Sequence, residues 1–229
     1  MREPDEPAQP ADVPSDVEHE LINSLASMVG FSEIIRRDPS LPDDLRHNAD
    51  LLAKEATRTR RLVGELLDLV RGPSPEPHRA AVSAPIDSRR GRAPATMATS
   101  ATRPRVLVLD NEPSMRAFLE KALTLLGYEP VIASLGPDAV TRATAGDHAA
   151  LLFDHQMAGM SGTEAYEAVI AVRPELATRV VMMSGDLLDP ELEAFAEDHA
   201  VTLLAKPFDL DTLDRTIRTV MEATGQSRG

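Results

Sequence analysis

The sequence of 229 residues contains no cysteine and no tryptophan, and its aromatic side chains are limited to five phenylalanines and two tyrosines. The absence of cysteine excludes disulfide bonds, a thiolate nucleophile and any cysteine-ligated metal. No apolar run reaches the roughly 18 residues that a membrane-spanning helix requires, and the N-terminus lacks the apolar core of a signal peptide. We therefore expect a cytoplasmic protein that does not bind membranes.

Positive charge is also scarce. The chain has 24 lysines and arginines against 37 aspartates and glutamates, a formal net charge of −13. Residues 1–103 hold 14 basic and 17 acidic side chains, whereas residues 104–229 hold 10 and 20, so the acidity lies mainly in the second half. An acidic protein is repelled by the phosphates of DNA and RNA, and we expect no nucleic-acid partner.

Two amphipathic helices are predicted over residues 15–71, after an acidic, proline-rich segment, residues 1–14, that should be disordered. Apolar residues such as Leu21, Leu25 and Met28 recur at alternating spacings of four and three, and residues 38–42 break the pattern. A single hairpin of this size buries too little apolar surface to be stable. We expect two copies to pair as a four-helix bundle, which makes a homodimer. The alternative is that the hairpin packs against the rest of its own chain.

The remainder of the chain divides into a linker and a region of alternating strands and helices. Residues 72–103 contain five prolines, two glycines and no apolar periodicity, which predicts a flexible linker. Residues 104–224 contain five strand–helix units, and residues 225–229 form a short tail. Units of this kind predict an α/β fold with a doubly wound sheet of five parallel strands.

Polar residues follow four of the predicted strands. Asp110, Asn111 and Glu112 follow the first strand, and Asp154 follows the third. Ser184 follows the fourth strand, and Lys206 follows the fifth. The carboxyl ends of parallel strands share one edge of the sheet, so these side chains should converge. Carboxylates there suit a hard divalent cation, most simply Mg²⁺. A hydroxyl and an ammonium group beside a metal-bound carboxylate suit a phosphoryl group. The site therefore has the groups needed for phosphoryl transfer.

Four stretches in this half carry a family resemblance. They are VLVLDNEPSMR (106–116), LLFDHQMAGMSG (151–162), VVMMSGD (180–186) and LLAKPF (203–208). With these motifs, residues 104–223 resemble a response-regulator receiver domain, which implies a flavodoxin-like fold and a role in two-component signalling. A flavodoxin-like domain with an incidental acidic rim is the alternative.

The receiver resemblance implies a role for each of these residues. Asp154 would be the phosphoacceptor, and the Mg²⁺ ligands would be Asp110, Asn111, Asp154 and the backbone carbonyl of Gln156. Ser184 would be the hydroxyl that turns toward the phosphoryl group, and Lys206 would pair with phosphate and precede a cis peptide bond to Pro207. Three positions depart from the family: Asn111 stands where a second carboxylate is usual, Leu203 where an aromatic residue is common, and Ala158 where proline is common.

The first predicted helix opens with His19, Glu20 and Asn23, which lie off its apolar stripe, so we expect an exposed histidine. The stretch HELINSLASMVGFSEII resembles the phosphoacceptor box of histidine kinases, whose dimerisation hairpin has the same two-helix layout. This resemblance implies that His19 is phosphorylated, that Glu20 is its acid/base partner and that Asn23 assists attack on a phosphoaspartate. The alternative is an ordinary surface histidine.

A histidine kinase also needs an ATP-binding domain, and no glycine-rich ATP lid follows the hairpin. We therefore do not expect autophosphorylation from ATP alone. The favoured interpretation is a dimeric phosphorelay protein that receives phosphoryl groups from a separate histidine kinase and exchanges or hydrolyses them between Asp154 and His19. One alternative is a non-catalytic adaptor that binds a partner kinase. Another is a split or degenerate hybrid kinase that uses an ATP-binding domain from another chain.

The amide of Asn111 predicts weaker Mg²⁺ binding than a carboxylate would give. Replacing Asn111 by Asp adds one negative charge to the ligand set and should lower the Kd for Mg²⁺ by about tenfold. Calorimetric titration of the full chain measures this, with Asn48→Asp in the predicted hairpin as the control for added charge. An unchanged affinity in Asn111→Asp would contradict the prediction.

Overall fold

The structure is a computed structural model, and it describes residues 15–71, 103–186 and 189–226. The predicted N-terminal segment, the linker up to residue 102 and the last three residues lie outside the described residues. No helix in the described ranges is long and apolar enough to cross a membrane.

The N-terminal part is a hairpin of two long helices, α1 (Ser15–Arg37) and α2 (Asp43–Arg71). The turn between them is held by Asp38, whose carboxylate accepts hydrogen bonds from the backbone amide of Ser40 at 2.8 Å and from its hydroxyl at 2.6 Å. Small and apolar side chains are buried along the hairpin, among them Leu25, Ala49 and Ala56. The predicted helical hairpin is therefore confirmed.

The second part is a sheet of five parallel strands in the order β2-β1-β3-β4-β5. The strands are β1 (Arg105–Leu109), β2 (Glu129–Ala133), β3 (Ala150–Asp154), β4 (Val180–Ser184) and β5 (Thr202–Ala205). The helices are α3 (Pro113–Leu125), α4 (Gly136–Ala145), α5 (Gly162–Val172), α6 (Pro190–His199) and α7 (Leu210–Gln226). This is the doubly wound α/β fold that the alternation predicted.

Each face of the sheet has its own apolar core, because successive side chains of a strand point to opposite faces. Along β1, Val106 and Val108 belong to the core shared with α3 and α7. Leu107 and Leu109 belong to the core shared with α4, α5 and α6. All four side chains are fully buried, which explains why the strand reads as a continuous apolar run.

Two details differ from the sequence-based prediction. A 3-10 helix, Pro174–Arg179, precedes β4 and adds an element to the five strand–helix units that the sequence predicted. Pro174 has no backbone N–H to continue α5, and the buried side chain of Leu176 holds the new turn against the sheet. Asp154 and Ser184 also lie within their strands, as the last residues of β3 and β4.

The hairpin packs against the sheet domain of its own chain, which was the alternative considered above. Ala26 of α1 is buried in the core that contains α3 and α7. The ring of Phe31 meets Phe118 of α3 edge to face, with ring centroids 6.0 Å apart. Arg37 donates a hydrogen bond to the carboxylate of Asp211 at 2.7 Å. These contacts use one side of α1 and leave much of its apolar stripe, including Met28, exposed.

Gly162 positions the end of β3, and its replacement should damage the sheet domain. A β-carbon at Gly162 would overlap the carbonyl oxygen of Asp154 and lie 2.7 Å from Met182 Sδ. We expect Gly162→Ala to lower the free energy of unfolding by about 1–3 kcal/mol. Urea titration followed by tyrosine fluorescence reports on this domain alone, because both tyrosines, Tyr128 and Tyr166, belong to it.

Gly146 offers a matched control within the same domain. A β-carbon there would meet the end of the flexible Arg105 side chain at 2.8 Å rather than backbone. Gly146→Ala should change the free energy of unfolding by no more than about 0.5 kcal/mol. Equal losses in the two variants would contradict the special role of Gly162.

Candidate functional site

A buried lysine joins the carboxyl ends of β1, β3 and β5. Lys206 Nζ donates a hydrogen bond to Asp110 Oδ2 at 3.2 Å and forms an ion pair with Asp154 Oδ1 at 3.0 Å. All three side chains are fully buried. An isolated buried charge is costly, so each of these groups depends on the others to remain ionised.

The two carboxylates differ in their electrostatic surroundings. Burial raises the pKa of Asp110 to about 6, with a further contribution from the neighbouring Asp154 and against the opposing effect of Lys206. Burial also acts to raise the pKa of Asp154, but Lys206 and His19 outweigh it and hold that pKa below its ordinary value. Asp154 is therefore ionised at neutral pH, as a nucleophile must be.

The oxygen atoms around Asp154 fit a hard divalent cation. Asp154 Oδ1 is buried, and the group that faces it in the described part of the chain is the Lys206 ammonium at 3.0 Å. Asn111 and Gln156 line a cavity of about 580 Å³ at this edge of the sheet. Within residues 15–71, 103–186 and 189–226, no three Asp, Glu or His side chains are grouped to hold a metal. The ligands available are thus the two carboxylates, the Asn111 amide and the Gln156 carbonyl, all oxygen donors that suit Mg²⁺.

Helix α1 brings its histidine to this site. His19 Nε2 lies 3.4 Å from Asp154 Oδ2 and 2.9 Å from Asn23 Nδ2. Asn23 in turn accepts a hydrogen bond from Lys206 Nζ through its Oδ1 at 2.9 Å. The predicted residues His19, Asn23, Asp110, Asp154 and Lys206 therefore form one connected group.

Asn23 lies between Lys206 and His19, and each of its side-chain atoms has a different partner. An ammonium group only donates hydrogen bonds, so Lys206 orients the carbonyl oxygen of Asn23 toward itself. The amide nitrogen of Asn23 then faces His19 Nε2, which also faces Asp154 Oδ2. With the ring proton on Nε2, His19 donates to the Asp154 carboxylate; with the proton on Nδ1, Nε2 accepts from Asn23 and has the lone pair of a nucleophile.

The position of His19 off the apolar stripe predicted an exposed side chain, and this prediction is wrong. Only 13% of its side chain is accessible. The prediction is wrong because the apolar pattern of α1 indicates only the side that belongs to the hairpin with α2, whereas His19 lies on the side that the sheet domain covers. Glu20 is exposed and lines the same cavity as His19.

The structure also places Ser184, the Lys206–Pro207 peptide bond and Leu203, which the receiver resemblance singled out. The hydroxyl of Ser184 donates to the backbone carbonyl of Asp186 at 2.7 Å and accepts from its amide at 3.1 Å. The Lys206–Pro207 peptide bond is cis, as the receiver resemblance implied. Leu203 is partly buried and packs against the core beside α4, α5 and α6.

Sequence reasoning missed the residues that hold α1 in place. The hydroxyls of Ser27 and Ser114 are 3.1 Å apart, and Ile22 lies so close to Gly185 that an added β-carbon would be 2.7 Å from Ile22 Cγ2. One signal was available: Gly30 lies inside a helix, where glycine is unfavourable unless close packing requires it. The pair formed by His155 and Asp189 at 3.3 Å was also missed and had no sequence signal.

Comparison with known proteins agrees with this architecture. Residues 13–75 match the model of the His Kinase A (phospho-acceptor) domain, and residues 106–218 match the model of the response regulator receiver domain. Transcriptional regulatory protein PrrA of Mycobacterium tuberculosis is 31% identical over 133 residues, covering 57% of this chain and 55% of that protein. Transcriptional regulatory protein TcrA of the same organism is 30% identical over 132 residues, covering 58% and 51%. The chain thus spans about half the length of these relatives.

Among solved structures, the receiver domain protein (CheY-like) of Methanospirillum hungatei superposes with a TM-score of 0.51 and 21% identity, covering 55% of this chain and 98% of that one. This likeness shows the fold of the sheet domain. The two family models identify the types of the hairpin and of the sheet domain. The chain belongs to the two-component signalling proteins, and it joins a histidine-kinase-type phosphoacceptor hairpin to a response-regulator receiver domain.

Proposed function

We propose that this chain is a phosphorelay protein in which Asp154 and His19 of one molecule exchange a phosphoryl group. The observation that supports this most strongly is the 3.4 Å approach of His19 Nε2 to Asp154 Oδ2, with Asn23 linking His19 to Lys206. The two residue types that carry phosphoryl groups in this signalling class therefore face each other within one chain.

The proposed exchange uses the groups already described. In transfer to the histidine, the bond between phosphorus and the Asp154 oxygen breaks while a bond from phosphorus to His19 Nε2 forms. Lys206 then neutralises the carboxylate that is released, and Asn23 keeps the imidazole oriented. Mg²⁺, held by Asp110, Asn111, Asp154 and the Gln156 carbonyl, would neutralise charge on the phosphoryl oxygens.

Glu20 and Ser184 have supporting roles in this proposal. Glu20 lines the cavity with His19 and can act as its acid/base partner, or activate a water molecule that hydrolyses the phosphoaspartate. Ser184 would leave its contact with Asp186 to donate to the phosphoryl group. A separate histidine kinase supplies the phosphoryl group.

The chemical stability of the label, and the residues that it requires, test the exchange. We would incubate the protein with a labelled small phosphodonor and Mg²⁺, then measure the acid and alkali stability of the label in the wild type, Asp154→Ala and His19→Ala. Exchange predicts an alkali-stable, acid-labile label that requires both residues. Asn23→Ala should slow its appearance by about 100-fold, since it removes a donor that orients the nucleophile.

His47 on α2 is exposed and provides the matched histidine control, so His47→Ala should behave as the wild type. A label that is acid-stable, alkali-labile and lost only in Asp154→Ala would contradict exchange and favour the adaptor. If His19 is labelled only when an ATP-binding domain of another protein is added, the split-kinase interpretation is favoured.

We also propose that residues 15–71 form a homodimer. Packing of α1 on the receiver leaves apolar side chains of the hairpin stripe exposed, among them Met28 at 55% and Leu52 at 62%. These residues line a groove between α1 and α2. A second hairpin would cover this surface and complete a four-helix bundle.

A charge in this groove should separate the two copies. We expect Leu52→Glu to convert a dimer into a monomer in light scattering after size exclusion, since it would bury an unpaired carboxylate in the bundle. Leu135→Glu is the matched control, because Leu135 is equally exposed, at 64%, but lies on the receiver. A monomeric wild type would contradict the proposal.

A further inference from the structure

One side of α1 covers a single surface of the receiver, which we call the docking face. It consists of the residues that contact α1: Ser114, Phe118, Lys121, Gly185 and Asp211. Its centre is apolar and its rim is polar, as in protein interfaces generally.

The closest fit on the docking face is between Gly30 and Phe118. A β-carbon at Gly30 would lie 2.6 Å from Phe118 Cδ2 and still closer to two other atoms of the ring. Any larger residue at this position must push α1 away from the receiver. Phe31 holds the same ring edge to face, and Lys121 Nζ lies 5.5 Å from the centre of the Phe31 ring. Because Gly30 has no side chain, the ring of Phe118 packs directly against the backbone of α1 at this position, which we call the Gly30 notch.

Docking of α1 encloses both phosphoacceptors. Asp154 has no accessible surface, and only 13% of the His19 side chain is accessible. A histidine on another protein must approach Asp154 where His19 now lies, beside Lys206. Because these positions can hold only one helix, the chain's own hairpin and an external hairpin exclude each other.

The docked contact is also too short to be the transferring state itself. Phosphoryl transfer passes through a loose transition state, which separates the attacking and departing atoms by more than the 3.4 Å between His19 Nε2 and Asp154 Oδ2. The hairpin must withdraw before a phosphoryl group can occupy this space. Phosphorylation of Asp154 in the docked chain therefore requires that α1 first moves away from the receiver.

We propose that α1 acts as a gate on the receiver: the docking face accepts its own hairpin, and loading of Asp154 by another protein requires that hairpin to leave. This inference rests on the proposed exchange between His19 and Asp154. A tethered hairpin is present at an effective concentration on the order of millimolar. An external donor at a lower concentration therefore succeeds only after undocking, and weaker docking should speed external loading while slowing exchange within the chain.

Two full-length variants separate donor from recipient in the test. The donor is Asp154→Ala, labelled at His19 with phosphoramidate, and its Gly30 notch is intact. The recipient is His19→Ala, which can accept the label only at Asp154. Adding Gly30→Leu to the recipient removes its own hairpin from the docking face but leaves the donor's hairpin able to dock. We expect this recipient to be labelled faster, by on the order of tenfold.

Gly64 supplies the control for the glycine substitution. It lies in α2, and a β-carbon there meets nothing within 4 Å. Gly64→Leu in the same recipient should leave the rate of labelling unchanged, although it raises helix propensity as much as Gly30→Leu does. In chains with both phosphoacceptors, Gly30→Leu should slow the appearance of label on His19 after Asp154 has been loaded.

A charge pair provides a second perturbation that leaves the packed interface intact. Arg37→Asp in the recipient removes the bond to Asp211 and should speed labelling modestly, and Asp211→Arg in the same chain should restore the original rate. Equal rates in the Gly30→Leu, Gly64→Leu and parent recipients would overturn the gate while leaving exchange intact. Failure of the labelled donor to transfer to any recipient, the Gly30→Leu recipient included, would also overturn the gate, whereas exchange within one chain is overturned only if label never reaches His19 in chains that carry both residues.

Discussion

The buried ammonium group of Lys206 is the constraint on which the rest of the structure depends. It lies between Asp110 and Asp154 at the convergence of three strand ends, and none of these charges can be buried without the others. Its remaining polar contact comes from Asn23 of the hairpin, at 2.9 Å. The site of the receiver thus uses a residue of the other domain, and the position of α1 is linked to the charge balance around Asp154.

Two sides of helix α1 have different roles. One side carries His19, Asn23 and Gly30 to the receiver, and the other carries the apolar stripe of the hairpin. Apolar residues such as Met28 and Leu52 stay exposed while α1 contacts the receiver, which leaves surface for the proposed pairing of two hairpins. Small residues on the receiver side allow the close approach, whereas large apolar residues on the opposite side provide the area that a bundle needs.

Much of the fold could be predicted because its signals are local. Apolar runs ending in polar residues marked the strands, and the prolines of residues 38–42 marked the turn of the hairpin. The 3-10 helix before β4 could not be predicted, since its six residues contain one buried apolar side chain, Leu176, too few to establish a period. The exposure of His19 was wrongly predicted for a related reason. The apolar pattern of a helix indicates the side that packs against its nearest partner, and α1 packs against two partners, α2 and the receiver.

The sequence by itself determined which chemical groups gather at the edge of the sheet. Asp110, Asp154 and Lys206 each follow or end a strand, and the topology of parallel strands brings such positions together whatever the packing details. Only the tertiary structure decided that His19 faces Asp154, that Asn23 contacts Lys206 and that Gly30 admits Phe118. These pairs join two domains across separations of up to 183 residues, as with Asn23 and Lys206. Local periodicity carries no information about such pairs, because shape and charge complementarity between two surfaces exists only once both have folded.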